Sequence, residues 1–255
     1  MNIKNKIFIS LSILGSLVFS TSASADHSWG AYHWKATTTP LYLELGDNLT
    51  TSWDPFLVTV SADWSVSSVL DTVVTTGRAS RYKSPNRDCG PNVGRVEVCN
   101  KTYGNNGWLG IAQIWVNRGH ISKGVTKMND TYFNTAKYNT PAWKQFVVCQ
   151  EVGHTFGLNH QDENFNNPNL GSCMDYTNDP STNQHPNTHD FEQLLTIYNH
   201  FESLVAPLSL PNKNKENGGG EWGKVVAKSG DGRGSKYEKD LGNGNKVITH
   251  VIWAD

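Results

Sequence analysis

The spacing of Gln150, His154, Gly157 and His160 constrains the fold of this chain more than any other feature of its sequence. The segment reads QEVGHTFGLNH. On a helix, Gln150 and His154 lie one turn apart on the same face. Gly157 can adopt a left-handed backbone that ends the helix, so His160 returns towards the same point. The spacing predicts three side chains around one metal ion with one coordination position open, as in catalytic zinc sites.

Glu151 lies beside these predicted ligands without being one of them. A carboxylate in that position can take a proton from a zinc-bound water and pass it to a leaving amine. Zinc lowers the pKa of such a water to about 7 and polarises the carbonyl that is attacked. The segment therefore predicts a hydrolytic zinc site in which Glu151 is the general base.

This segment is similar to the H-E-x-x-H-x-x-G-x-x-H motif of the metzincin zinc endopeptidases, with Gln150 in place of the first histidine. The resemblance extends to bacterial matrixin- and adamalysin-like peptidases whose motif starts Q-E-x-G-H. In the metzincin clan a methionine turn follows the motif, and here the segment SCMDY stands in its place, with Met174 as the turn methionine. The resemblance implies that Tyr176 approaches the zinc or donates a hydrogen bond to the transition-state oxyanion.

The same resemblance implies a metzincin-like α/β (α+β) fold over about residues 37–204. Its expected parts are a twisted mixed five-stranded sheet and two long helices, namely an active-site helix followed by the methionine turn and a C-terminal helix. The segment GWLGIA at 107–112 resembles the matrixin-type edge strand that binds substrate by β-addition. The substrate-binding residues predicted from it are Gly110, Ile111, Ala112 and Gln113.

Hydrophobic periodicity predicts the elements of such a fold independently. Apolar residues alternate, or β-branched residues cluster, in five predicted strands at 37–45, 69–76, 95–100, 109–117 and 125–128. Helix starts are predicted at Asp54-Pro55 and Thr140-Pro141, where a capping residue precedes a first-turn proline. A further helix is predicted from Asn187 to about Leu204, because acidic residues in its first turn suit the helix dipole.

The chain divides into four predicted segments. The first has the pattern of a cleaved secretory signal, in which two lysines precede an apolar stretch and a small-residue cleavage site. A membrane anchor is the alternative, but the apolar stretch is short for a bilayer span. The segments are a signal peptide at 1–25, a metzincin-like catalytic domain at 26–205, a linker at 206–220 and a small β extension at 221–255. In the extension, strands are predicted at 222–227 and 246–253, flanking a polar, glycine-rich middle.

Composition excludes some partners. The formal net charge is −1 and no run of like charge occurs, so neither nucleic acid nor a membrane surface is an expected partner. The expected partner is a polypeptide substrate. We expect a monomeric bacterial protein that is secreted, to the periplasm or the extracellular medium.

The four cysteines are Cys89, Cys99, Cys149 and Cys173. An even count in an exported chain indicates two disulfides, for which three pairings exist. We favour Cys89–Cys99, across a short loop, and Cys149–Cys173. The alternative makes Cys149 or Cys173 a zinc thiolate, although an exported thiol with an available partner usually oxidises.

The glutamine at position 150 leaves two functions open. Its amide oxygen is a weaker zinc donor than an imidazole, so an inactive module that has lost zinc and binds peptides or proteins in the same cleft is one reading. We favour the other reading, a secreted zinc metalloendopeptidase, because the remaining site residues all stand in place. A zinc-dependent esterase or amidase acting on small substrates is a third hypothesis, and it requires a closed pocket.

Other polar residues receive less specific interpretations. Three histidines are expected near turns or a helix start: His120, His185 and His189. The alternative is that one of them is a metal ligand that compensates for the weak donor at Gln150. Four more are expected to be exposed or packed against aromatic rings: His27, His33, His200 and His250. The acidic, amide-rich loop at 162–167 is a candidate Ca²⁺ site, although a solvated turn is favoured. Asp162 is a candidate for a hydrogen bond to a zinc ligand.

Overall fold

A computed structural model of the chain describes residues 27–78, 89–200 and 221–254. The predicted signal peptide at 1–25 and the predicted linker at 206–220 lie outside the described residues. Within the described ranges, every helix is too short or too polar to cross a lipid bilayer.

A single mixed sheet organises the described part of the chain, which contains nine strands and four α-helices. The strands are β1 (His33–Trp34), β2 (Leu41–Asn48), β3 (Leu70–Thr76), β4 (Arg95–Lys101), β5 (Trp108–Asn117), β6 (His120–Asn129), β7 (Lys224–Lys228), β8 (Gly234–Gly242) and β9 (Asn245–Trp253). Their order is β3-β2-β4-β6-β5-β9-β8-β7, and β1 pairs with β6. The α/β class is confirmed, but the predicted count of five strands is wrong, because β1 and the three C-terminal strands join the same sheet.

The way in which neighbouring strands pair changes once across the sheet, from parallel to antiparallel. Strands β2, β3, β4 and β6 pair in parallel, and β1 is also parallel to β6. From β5 onwards all pairs are antiparallel, through β9 and β8 to β7. The predicted polar middle of the C-terminal extension contains β8, whose antiparallel pairing with β9 supplies the backbone hydrogen bonds that its weak hydrophobic pattern did not indicate.

The helices are α1 (Asp54–Trp64), α2 (Asp130–Phe133), α3 (Pro141–Thr155) and α4 (Thr188–Tyr198). Helix α3 begins as predicted, because Thr140 caps it and accepts a hydrogen bond from the backbone of Trp143. Helix α4 begins with a capping box between Asn187 and Asp190. Helix α1 differs slightly from the prediction: its N-cap is Trp53, and Asp54 is already in the first turn.

The core lies between the sheet and helices α1 and α3. Trp64 of α1 is fully buried and donates its indole N–H to the Cys149 carbonyl at 3.3 Å. A Cβ on Gly153 would lie 2.6 Å from the Trp64 ring and 2.7 Å from the Met174 sulfur. The absence of a side chain at Gly153 therefore lets α1 and the methionine segment approach α3 closely.

Two disulfides join the favoured cysteine pairs, and both pairings are confirmed. Cys149–Cys173 connects α3 to the segment just before Met174, and both of its cysteines are fully buried. Cys89–Cys99 fastens the chain before β4 to that strand. With all four sulfurs in disulfides, the alternative of a cysteine zinc ligand is excluded.

Candidate metal centre

The end of α3 brings two histidines together. His154 lies in the last turn, and the backbone of Gly157 has a φ of +95°. A Cβ at Gly157 would lie 2.3 Å from the Tyr32 carbonyl oxygen, so the turn tolerates only glycine. The chain reverses there and places His160 Nε2 2.9 Å from His154 Nε2.

Hydrogen bonds fix which nitrogen of each ring carries a proton. His154 Nδ1 lies 2.9 Å from the Leu158 carbonyl oxygen, and His160 Nδ1 lies 2.9 Å from Glu163 Oε1. Neither oxygen can donate, so both Nδ1 atoms are donors. Burial lowers the pKa of both rings below their ordinary value, well below it for His154, which favours the neutral forms. In those forms both Nε2 atoms present lone pairs to each other, an arrangement that a cation between them stabilises.

A third histidine, which the sequence did not indicate, completes this cluster. His250 lies in β9, is only 1% exposed and stacks on His154 with ring centroids 4.0 Å apart. One ring nitrogen from each of His154, His160 and His250 falls within 4.8 Å of the others. Neither nitrogen of His250 has a hydrogen-bond partner. Of the two alternatives expected for His250, exposure or aromatic packing, the second is present, since Trp29 stacks on its ring at 4.1 Å.

Gln150 reaches the same point from one turn earlier on α3. Its Nε2 lies 2.8 Å from His160 Nε2, and its Oε1 is buried without a hydrogen-bond partner. The two ends of the amide exchange places on rotation about one bond, so either end can face His160. The structure thus places Gln150, His154 and His160 together, with His250 as an additional donor.

Glu151 is fully buried, and both of its carboxylate oxygens lack a hydrogen-bond partner. Burial raises the pKa of this carboxyl well above its usual range. The carboxyl lies against β5: a Cβ on Gly110 would come within 2.6 Å of Glu151 Oε1. Glycine at position 110 therefore leaves the room that this carboxylate occupies between the helix and the strand.

The methionine segment packs against the ligand helix through Met174 and against His160 through Tyr176. The Met174 sulfur lies under Gly153 of α3, as the distance to its hypothetical Cβ indicates. The Tyr176 ring packs on His160 with centroids 4.1 Å apart, and its hydroxyl donates to the Val251 carbonyl at 3.4 Å. Burial raises the pKa of Tyr176 well above its ordinary value, so the hydroxyl keeps its proton.

The acidic loop after His160 holds the ring of that histidine, and calcium binding by the loop, the less favoured alternative, gains no support. Glu163 accepts from His160 through Oε1 and from Ser235 through Oε2 at 3.2 Å. Asp162 accepts from the backbone of Asn164 instead of from a zinc ligand. Glu163 thus takes the role considered for Asp162, because the turn after His160 directs the later carboxylate to the ring.

The remaining histidines lie outside this cluster. His185 is within 2.6 Å of Asp63, and His27 is within 3.0 Å of the buried Asp190. His27 is buried and stacks on His189, so of its two expected alternatives ring packing is present. The rings of His120 and His200 both pack edge-on against His33. None of the three histidines considered as a compensating ligand belongs to the metal-competent cluster found in the described residues.

The donor set fits a divalent transition metal. Imidazoles suit zinc, and the Gln150 amide oxygen adds a weaker donor. Burial of polar atoms that lack a hydrogen-bond partner is costly unless something binds them. Several buried polar atoms of these side chains lack a hydrogen-bond partner, namely Gln150 Oε1, both Glu151 oxygens and both His250 nitrogens. The residues present are therefore suited to hold zinc.

Comparisons with known proteins add a distant structural likeness. No protein-family model matches the chain, and no curated protein matches it in sequence. Among solved structures it is similar to high choriolytic enzyme 1, a hatching-enzyme zinc-protease from Oryzias latipes (medaka fish), at 9% sequence identity and a TM-score of 0.36. The match covers 66% of this chain and 94% of that chain. A likeness at this level assigns neither a family nor a reaction to the chain.

Proposed function

We propose that the chain is a zinc-dependent endopeptidase of metzincin type, secreted and acting on extended polypeptides. The observation that carries the proposal is the convergence of His154 Nε2 and His160 Nε2 at 2.9 Å with both Nδ1 atoms committed as donors. Two neutral imidazoles in this arrangement direct lone pairs at one point, which is the requirement for a metal ligand pair. Gln150 adds a third donor from the same helix face.

The roles of the other residues follow from their positions. Bound zinc supplies a Lewis acid and an acidified water. Neither Glu151 oxygen has a hydrogen-bond partner, so the ionised carboxylate can accept a proton from the attacking water and pass it to the leaving amine. Burial raises the pKa of this carboxyl, which makes the ionised form a stronger base. The Tyr176 hydroxyl keeps its proton and, once released from the Val251 carbonyl, can donate it in a hydrogen bond to the developing oxyanion.

Substrate binding is assigned to β5. Gly110 lies directly against Glu151, and the following residues, Ile111, Ala112 and Gln113, extend along the same strand. An extended peptide that pairs with these residues passes next to the general base. An extended polypeptide is therefore the proposed substrate.

Exchange of the general base tests the proposed reaction. The zinc-loaded full chain is incubated for hours with a denatured polypeptide, beside a Glu151→Gln variant and a chelator-treated sample. We expect slow, chelator-sensitive cleavage by the parent and at least about a hundredfold less by Glu151→Gln, the usual size of a general-base effect, with zinc content unchanged. Equal cleavage by the parent and Glu151→Gln would remove Glu151 from the mechanism. Bound zinc with no cleavage in any form would leave a metal-binding module in place of an enzyme.

A further inference from the structure

Strand β9 occupies the position that the proposed substrate needs. Strand β5 was expected at the edge of the sheet, yet in the structure it lies between β6 and β9. The pairing is antiparallel and runs along the whole strand, and it includes the predicted substrate residues: Gly110 pairs with Ile252, Ile111 with Val251, Ala112 with His250 and Gln113 with Thr249. An added peptide therefore cannot pair with β5 while β9 remains there.

The residue of β9 that reaches the metal centre is a histidine. His250 stacks on His154 and lies within reach of the nitrogens of His154 and His160. With Gln150, these residues form four protein donors around one point. Four protein ligands are typical of a closed structural zinc site, whereas a catalytic site keeps one position for water. The imidazole of His250 thus stands where the reactive water is required.

Tyr176 is engaged by the same strand. Its hydroxyl donates to the carbonyl oxygen of Val251, the neighbour of His250. A hydroxyl that is already bonded to β9 cannot donate to a substrate oxyanion. One strand therefore covers the peptide-binding residues, the open metal position and the oxyanion donor together.

We propose that β9 is an internal inhibitor, which binds β5 as a substrate would and closes the metal centre with His250. This inference rests on the proposed function and adds its regulation: most full chains are latent, and the slow cleavage expected of the parent comes from the small fraction in which β9 has left β5. The structure also shows what holds the strand in place. Ile248 and Ile252 are buried in the main core, Gln113 donates to Thr249 at 3.1 Å, and the backbone of Ala254 donates to Gly107 at 2.7 Å.

Weakening the attachment of β9 in the full chain tests this inference. Ile252→Ala removes a core contact of β9, and Ile121→Ala in β6 is a matched control that removes the same atoms from the same core cluster. Both variants are loaded with zinc. Hydrogen exchange of the β5 amides reports release of the strand, metal analysis reports the site, and cleavage of a denatured polypeptide reports activity. Ile252→Val provides a milder step should Ile252→Ala fail to fold.

We expect faster exchange in β5, retained zinc and at least about a tenfold rise in cleavage for Ile252→Ala, because the rate follows the fraction of chains with β9 released. Ile121→Ala should leave the β5 exchange rate, the zinc content and the cleavage rate unchanged. Two results would refute the proposal that β9 is an inhibitor. One is faster exchange with loss of both zinc and cleavage, because β9 would then be a permanent part of the site. The other is continued protection of the β5 amides in both Ile252 variants. Faster exchange with zinc retained and no cleavage in any variant would instead refute the endopeptidase itself.

Discussion

The disulfide between Cys149 and Cys173 should support both the fold and the metal centre. It joins residues 24 positions apart, whereas Cys89–Cys99 joins residues 10 positions apart. The loss of loop-closure entropy in the unfolded chain then gives about 3.5 kcal/mol for the first disulfide and about 2.8 kcal/mol for the second. Replacing either pair by alanines should lower the free energy of unfolding by about these amounts, measured by denaturant titration of the chelator-treated protein.

The two disulfides should differ in their effect on zinc. Cys149 precedes Gln150 and Cys173 precedes Met174, so only this pair connects the ligand helix to the methionine segment. We expect zinc affinity to fall about tenfold or more in the Cys149→Ala/Cys173→Ala variant, the range seen when groups that orient ligands are disturbed. Competition with a chromophoric chelator measures this affinity, and Cys89→Ala/Cys99→Ala is the matched control. Equal zinc affinities in the two double variants would show that the Cys149–Cys173 disulfide does not support the metal centre.

Three further substitutions address individual parts of the site. Glu163→Gln should lower zinc affinity about 10- to 100-fold, because it weakens the hydrogen bond to His160. Glu192→Gln, on the exposed face of α4, should leave the affinity unchanged, and equal affinities in the two variants would contradict this. Gly153→Ala should lower the free energy of unfolding by about 1–3 kcal/mol in denaturant titration, since its Cβ overlaps the Trp64 ring, and an unchanged midpoint contradicts that overlap. Gln150→His should raise zinc affinity in the same chelator competition, because imidazole is the better donor, and no change would place this side chain away from the metal.

Local signals in the sequence predicted much of the ligand helix. Thr140-Pro141 marks its first turn, and Gly157 marks its end, because capping and left-handed backbone are decided within a few residues. The pairing of Cys149 with Cys173 was also predictable. Four cysteines in an exported chain allow three pairings, and once Cys89 pairs with the nearby Cys99, only Cys149 and Cys173 remain.

The position of the C-terminal strand was not predictable from local pattern. Alternation and β-branched residues identify β9 as a strand, but the choice of β5 as its neighbour depends on residues far apart in the sequence. For the same reason, the position of His250 beside His154 and His160 was not predicted. A single histidine within the apolar run VITHVI was the available signal, since a strand buried on both faces seldom carries a polar residue without a function. The role of Glu163 depends on the turn after His160, which no spacing rule specifies.

The zinc content of the purified full chain after dialysis, measured beside that of His154→Ala, tests the proposed metal centre most directly. We expect one zinc per chain in the parent, because buried nitrogen lone pairs converge at a single point, and almost none in the variant. A parent chain that holds no zinc, or a variant that holds as much as the parent, would contradict this expectation.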